Sequence, residues 1–309
     1  MTNSKIYKMS SIKDFLISND NLTFIFTPNK EARSLSTANY LIQSNIVDNL
    51  IILSYDDSTI DTEIIKKLNA KNEHQVKVDK DPMVFLSALK NALPTDTECT
   101  NLLIDITCIR TPEMFILLKY LKAGLKQNKI KITYTIPYDY NFEKEPFTSY
   151  RSYIGDLTMY EIIGYGGSNR GNSNENDLYL FMGFEGSLSL KVIENCAYQK
   201  LMLINNLPAF YPKYKDISVL NNYQVMANQH CPLFVPADNP FEVVNLLYDS
   251  IPSDKPVCIA PLSTKPVSLG VCLYALNNDK VRVVYPISSK YNQTRTLSSY
   301  ETYGYEIEL

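Results

Sequence analysis

Residues 101–106 read NLLIDI, the turn Thr107-Cys108-Ile109-Arg110-Thr111-Pro112 follows, and residues 113–121 read EMFILLKYL. An apolar run of strand length, a polar turn ending in proline and an apolar run of helical length spell strand, turn and helix in that order. The succession returns late in the chain. Residues 257–260 (VCIA) lead into Pro261-Leu262-Ser263-Thr264-Lys265-Pro266 and then into residues 267–276 (VSLGVCLYAL). Each copy continues into a strand carrying Tyr and Pro, KITYTIPYDYN at 131–141 and VRVVYPISSKYN at 281–292. Each then enters a Ser/Thr/Tyr-rich tail, FTSYRSY or TRTLSSY. The chain therefore reads as a tandem repeat of one strand–turn–helix–strand unit.

Working outward, β-rich runs at 22–27, 50–53 and 75–78 alternate with helical patterns at 30–42, at 62–68 and from Asp81-Pro82 onward, and an edge helix is read within 1–20. In the second half, strands are read at 178–182, 201–204 and 233–235. Helices are read up to Cys196, around LNNYQV and after Asp238-Asn239-Pro240, and residues 205–216 are read as a loop. Strands alternating with helices mean mostly parallel sheets with helices on their faces. The fold class expected is α/β, with two Rossmann-like lobes related by a pseudo-two-fold. The stretch GYGGSNRGNSNEND is polar and has no apolar period. It marks a linker at 164–177 between lobes at 1–163 and 178–309.

The 309 residues suffice for two domains that bury about 75% of their unfolded surface, so neither a disulfide nor a metal is needed to hold the fold. A net charge of −3 argues against a general grip on nucleic acid, which requires a basic stripe. The six cysteines show no CxxC, and the two histidines stand in no metal-ligand spacing. No apolar stretch approaches the length of a membrane span, and no signal-peptide layout opens the chain. A reducing, cytoplasmic setting with no cofactor and no metal is the expectation.

In open parallel sheets, ligands bind beyond the carboxyl ends of the strands, so loops leaving strands are the places to search. The turn 261–266 sets the hydroxyls of Ser263 and Thr264 and the charge of Lys265 at a helix start, a setting suited to an anion. Arg110 and Thr111 hold the matching places in the first copy. The plainer reading of the same turn is a helix cap at Thr264 or Ser263 with Lys265 in solvent. The loop Gly183-Phe184-Glu185-Gly186-Ser187 is the second candidate. Gly183 and Gly186 permit close approach of a ligand, and Glu185 is placed to hold a ribose hydroxyl or to act as a base. Tyr138 and Asn292, in the two tails, are candidates for stacking on a base or bonding a sugar. Other carboxylates able to do acid–base work are Asp56, Asp57, Asp105 and Asp238, which nothing in the spacing pairs. Walker A, GxSxG and GxGxxG patterns are absent.

The doubled organisation and the turn Leu262-Ser263-Thr264-Lys265 resemble the CARF and SAVED domains of prokaryotic defence systems. In that group a Gly/Ser/Thr-rich turn with a lysine leads from strand to helix, and SAVED proteins fuse two such units. Here Pro261 and Leu262 stand where the group has paired glycines. The resemblance implies Rossmann-like sensors of signalling oligonucleotides. It implies a nucleotide-type anion bound in a cleft between the lobes, in an antiviral defence or stress response, with output passed to a separate effector protein. Two other readings stand beside it: a nucleotide or nucleoside hydrolase using the same cleft, with Glu185 or a strand-end Asp activating water, and a non-catalytic adaptor subunit whose tyrosines dock a partner.

Overall fold

The computed structural model describes residues 5–7, 15, 21–44, 46–56, 58–79, 81–93, 101–124, 129–140, 153–167, 176–227, 232–291 and 296–309. Asn292, Asp57, the centre of the expected linker (168–175) and nearly all of the expected edge helix lie outside these residues. The chain forms two compact units, Met1–Asn141 with Gln293–Leu309, and Phe142–Asn292.

The first unit opens with β1 (Lys5–Tyr7) and β2 (Leu22–Phe26), followed by a 3-10 turn (Ala32–Leu35) that runs into α1 (Ser36–Ser44). Then come β3 (Val47–Ser54), α2 (Thr62–Leu68), β4 (Asn72–Lys77), α3 (Pro82–Ala92), β5 (Asn101–Asp105), α4 (Thr111–Gly124) and β6 (Lys129–Tyr140). Its seven-stranded sheet has the order β4-β3-β2-β5-β6, all parallel, continued by β13 (Thr296–Glu308) and β1, each antiparallel to the strand before it. Every residue of β2, LTFIF, is buried, as a central parallel strand covered on both faces requires. Leu22, Phe24 and Phe26 pack with Leu41, Leu50, Ile52, Ile64 and Leu103, and the rings of Phe24 and Phe26 stack at 4.6 Å. Each such side chain contributes about 1.5–3 kcal/mol.

The second unit begins with β7 (Tyr153–Gly166), β8 (Asp177–Phe181), α5 (Gly186–Asn195) and β9 (Leu201–Asn206). It continues with α6 (Pro212–Asn221), a short α7 (Tyr223–Met226), β10 (Leu233–Val235), α8 (Pro240–Ser250), β11 (Val257–Pro261), α9 (Lys265–Leu276) and β12 (Val281–Tyr291). Its six-stranded order is β10-β9-β8-β11-β12, all parallel, with β7 antiparallel at the β12 edge. Numbered by their order along the chain, the parallel strands of both units run 3-2-1-4-5, the Rossmann arrangement.

The antiparallel edge strands are exchanged between the units. β7 follows the first unit's last parallel strand but pairs with β12, and β13 follows the second unit's last parallel strand but pairs with β6. Residues 153–163, read from sequence as the end of the first lobe, thus lie in the second unit, and 296–309 lie in the first. Tyr153, the last residue of the first Tyr-rich tail, opens β7, and β13 starts within the second at Thr296. In β13, Tyr303, Tyr305 and Ile307 alternate inward. In β7, a register break opposite Arg282–Val284 falls where Gly164 has φ +87°, a conformation that suits glycine. Part of 205–216 is helical as well: Pro212 starts α6, and Tyr214, Ile217 and Ser218 turn inward.

Helix starts follow local chemistry. Asp61 accepts from Glu63 and Ile64 N–H, and Asp81 accepts from Met83 N–H ahead of Pro82. Asn239, rather than Asp238, caps α8. Each cap is worth about 1 kcal/mol. Among the described residues, no helix is long and apolar enough to cross a membrane.

Candidate functional site

The order 3-2-1-4-5 reverses between its first and fourth strands, and the loops leaving those strands flank the topological switch point. In the second unit these are β8 and β11. Their ends are joined by Leu262 N–H, which donates to Phe181 C=O at 3.0 Å. The loop Gly183–Gly186 and the turn Ser263–Lys265 therefore lie side by side.

Both glycines are explained by backbone crowding. A Cβ on Gly183 would stand 2.2 Å from Leu262 C=O, and one on Gly186 would stand 1.8 Å from Asn221 C=O. The room that each missing side chain leaves is filled by the protein's own carbonyls. Ser218 Oγ and Asn222 Nδ2 donate to Gly183 C=O at 3.0 and 2.9 Å, and Asn221 Nδ2 donates to Phe184 C=O. The segment from α6 to α7 thus clamps the loop. Glu185 is the N-cap of α5 and makes no side-chain cap hydrogen bond.

The hydroxyls of the second candidate turn bond within the protein. Ser263 Oγ donates to Asn206 Oδ1 at 2.6 Å, and Thr264 Oγ1 donates to Ala237 C=O at 2.7 Å. Thr264 is also the N-cap of α9, accepting from Val267 N–H at 3.4 Å. Pro266 has no N–H, and Ser268 N–H bonds Thr264 C=O, so the first turn of α9 contributes its dipole and the Lys265 charge more than a row of amides. Ser263, Thr264 and Lys265 are all partly exposed. At the end of β9, beside the Asn206 that bonds Ser263, Asn205 is buried; its Oδ1 accepts Asn206 N–H at 2.8 Å and its Nδ2 has no hydrogen-bond partner.

In the first unit the switch point lies between β2 and β5. Arg110 is just beyond it: its guanidinium stacks over the Tyr55 ring at 4.2 Å, and its N–H donates to Tyr55 Oη at 3.0 Å. Thr111 is the buried first residue of α4. Tyr138 stands well apart in character, 60% exposed on β6.

The main polar feature there is a buried cluster that spacing did not reveal. Arg33 Nε donates to Glu31 Oε2 at 2.7 Å, Thr296 Oγ1 donates to the same oxygen at 3.1 Å, and Arg33 Nη1 lies 3.5 Å from Tyr134 Oη. Asp105 ends β5 at 2% exposure. Its Oδ1 accepts Thr107 N–H at 2.8 Å, while its Oδ2 has no hydrogen-bond partner. Burial pushes the Asp105 carboxyl up to about 6, against the opposing pull of Thr107, Thr37 and Arg33. Burial pulls Arg33 down, but the Glu31 carboxylate, with Tyr134 and Cys108, outweighs it and keeps the guanidinium charged. Burial pushes the Cys108 thiol up to about 12, which disfavours its thiolate. Glu31 and Arg33 are two apart on a 3-10 turn, and a helical period assigns such residues to solvent. No signal in the sequence announces their burial.

Among the described residues, no group of three or more His, Cys, Asp or Glu side chains is placed to hold a metal ion. No protein-family model matches the chain, and no curated protein matches it in sequence.

Proposed function

We propose that the protein binds a nucleotide-type anion at the carboxyl ends of the parallel strands of its second unit, as a sensor in a defence or stress pathway of the CARF/SAVED kind. One observation carries this reading: the Rossmann strand order sets the Gly183–Gly186 loop beside the Ser263–Lys265 turn at the switch point. Lys265 at the α9 N-terminus supplies positive charge to a phosphate. Glu185, within the loop, is assigned to a hydroxyl-bearing sugar, and Asn205 offers a buried Nδ2 that lacks a partner. Signalling output then passes to a separate effector protein.

The test is a panel of mononucleotides and of linear and cyclic oligonucleotides screened by thermal shift, with the mixtures analysed chromatographically. A rise in unfolding temperature with an intact nucleotide is expected. A nucleotide consumed during incubation would select the hydrolase reading instead, and no response across the panel would reject nucleotide recognition.

A further inference from the structure

Three asparagine amides meet around the Gly183–Gly186 loop of the second unit. Asn222, at the break between α6 and α7, is fully buried, and its Nδ2 donates to Gly183 C=O at 2.9 Å and to Ser218 C=O at 2.8 Å. Asn221 Nδ2 donates to Phe184 C=O, the next carbonyl of the same loop. Asn205 comes from the sheet. The β8–β9 ladder pairs Leu180 with Leu203 and Phe181 with Ile204, so Asn205 follows beside Met182, next to Gly183. Met182, Leu203 and Val225 of α7 share one apolar cluster, and strand alternation puts Asn205 on the same face as Leu203.

The bonds these amides make fix which end of each is left over. Asn205 Oδ1 accepts Asn206 N–H at 2.8 Å, and exchanging its oxygen and nitrogen would set donor against donor. The same exchange in Asn221 or Asn222 would set oxygen against a carbonyl oxygen. The remaining groups, Asn205 Nδ2, Asn221 Oδ1 and Asn222 Oδ1, are buried and have no hydrogen-bond partner. Such groups are costly to leave unpaired, and a ligand that pairs them recovers the cost. They lie close beneath the surface, since Gly183, Phe184, Glu185 and Asn221 are each partly exposed. The Phe184 ring, edge-on to Tyr214 at 5.1 Å, is an aromatic surface in that loop.

We propose that this cluster reads the base of the bound nucleotide and selects guanine. The inference rests on the nucleotide reading of the switch point, where Lys265 takes the phosphate. One donor and two acceptors call for a base edge with one acceptor and two donors. The Watson–Crick edge of guanine carries that set: O6, N1–H and N2–H. Adenine and cytosine each offer a single amino nitrogen beside ring acceptors, and uracil offers one N–H between two oxygens, so none of them presents two separate donor atoms. Asn205 Nδ2 pairs with O6, and the Oδ1 atoms of Asn221 and Asn222 take N1–H and N2–H. Phe184 supplies the stacking face.

The test is isothermal titration of GMP, IMP and AMP, and of the dinucleotides of the same three bases, into the full-length chain. Sugar and phosphate are common to each set, so differences report the base alone. The guanine ligand is expected to bind about tenfold or more tighter than its hypoxanthine counterpart, which lacks only the N2 amino group, and than its adenine counterpart. Asn205→Asp keeps the acceptor for Asn206 N–H and places an oxygen where Nδ2 was. It should abolish the preference for guanine over adenine, a change that a merely structural role would not produce. Equal affinity for the three bases, or tighter binding of adenine or hypoxanthine, would overturn guanine selection and leave the phosphate site standing. Binding by none of them would overturn the nucleotide reading and this inference together. The wild-type comparison decides the matter even if the variant fails to fold.

Discussion

Asp105 is a buried carboxyl held away from its ordinary state. Its carboxyl is buried with one oxygen unpartnered, and its folded-state pKa, about 6, lies above the usual carboxylate value. The folded chain therefore holds this proton more tightly than the unfolded chain does. Stability that is present below about pH 4 is lost as pH rises to about 6 and stays lost above it, a change of about 3 kcal/mol. Asp105→Asn keeps the shape and removes the charge. Denaturant unfolding of both proteins across this range should show the variant gaining on the wild type by about 2–3 kcal/mol between about pH 4 and about pH 7. Parallel profiles would mean that the carboxylate is solvated after all. At this scale the sequence was only partly legible. Asp105 stood out as a carboxylate at a strand end, and Thr264 as a cap. The distant groups that act on Asp105, Arg33 of the 3-10 turn and Thr37 of α1, are contacts that no local spacing encodes.

Elements were more legible, because apolar period and capping chemistry are local. Asp81 and Thr264 announce helices that are present. β7 and β13 were missed: β7 begins at the end of one Tyr-rich tail and ends in the Gly-rich stretch read as a linker, and β13 begins inside the other tail. The alternation of Tyr303, Tyr305 and Ile307 was the available signal, and the glycines and bulges of both strands blurred it. Glycines show how elements fit. A Cβ on Gly270 of α9 would lie 2.3 Å from Pro240 C=O at the start of α8, and one on Gly186 would lie closer still to Asn221 C=O. Because backbone must move in both places, Gly186→Ala should cost about 1–3 kcal/mol or more. That reverses the usual gain from replacing glycine by alanine near a helix start. Equilibrium unfolding gives the number, and an unchanged or raised stability would show that α6 yields easily.

Across the whole molecule, the α/β class and the doubling were readable from the strand–turn–helix–strand echo, and both units have the same strand order. The exchange of edge strands was not readable, since either tail suits either sheet by composition. It makes a clear prediction. A chain ended after residue 292 lacks the β13 partner of β6, so hydrogen exchange should accelerate in β6 and β5 while β8 and β11 keep their protection. Faster exchange confined to the second unit would contradict the pairing.

The switch point of the second unit is the proposed nucleotide site, with Lys265 as its phosphate-binding charge. Isothermal titration of the best ligand from the panel into wild type and Lys265→Ala tests this directly. A loss of affinity of about tenfold or more, with unfolding temperature unchanged, is the predicted result. Equal affinity in the two proteins would contradict it.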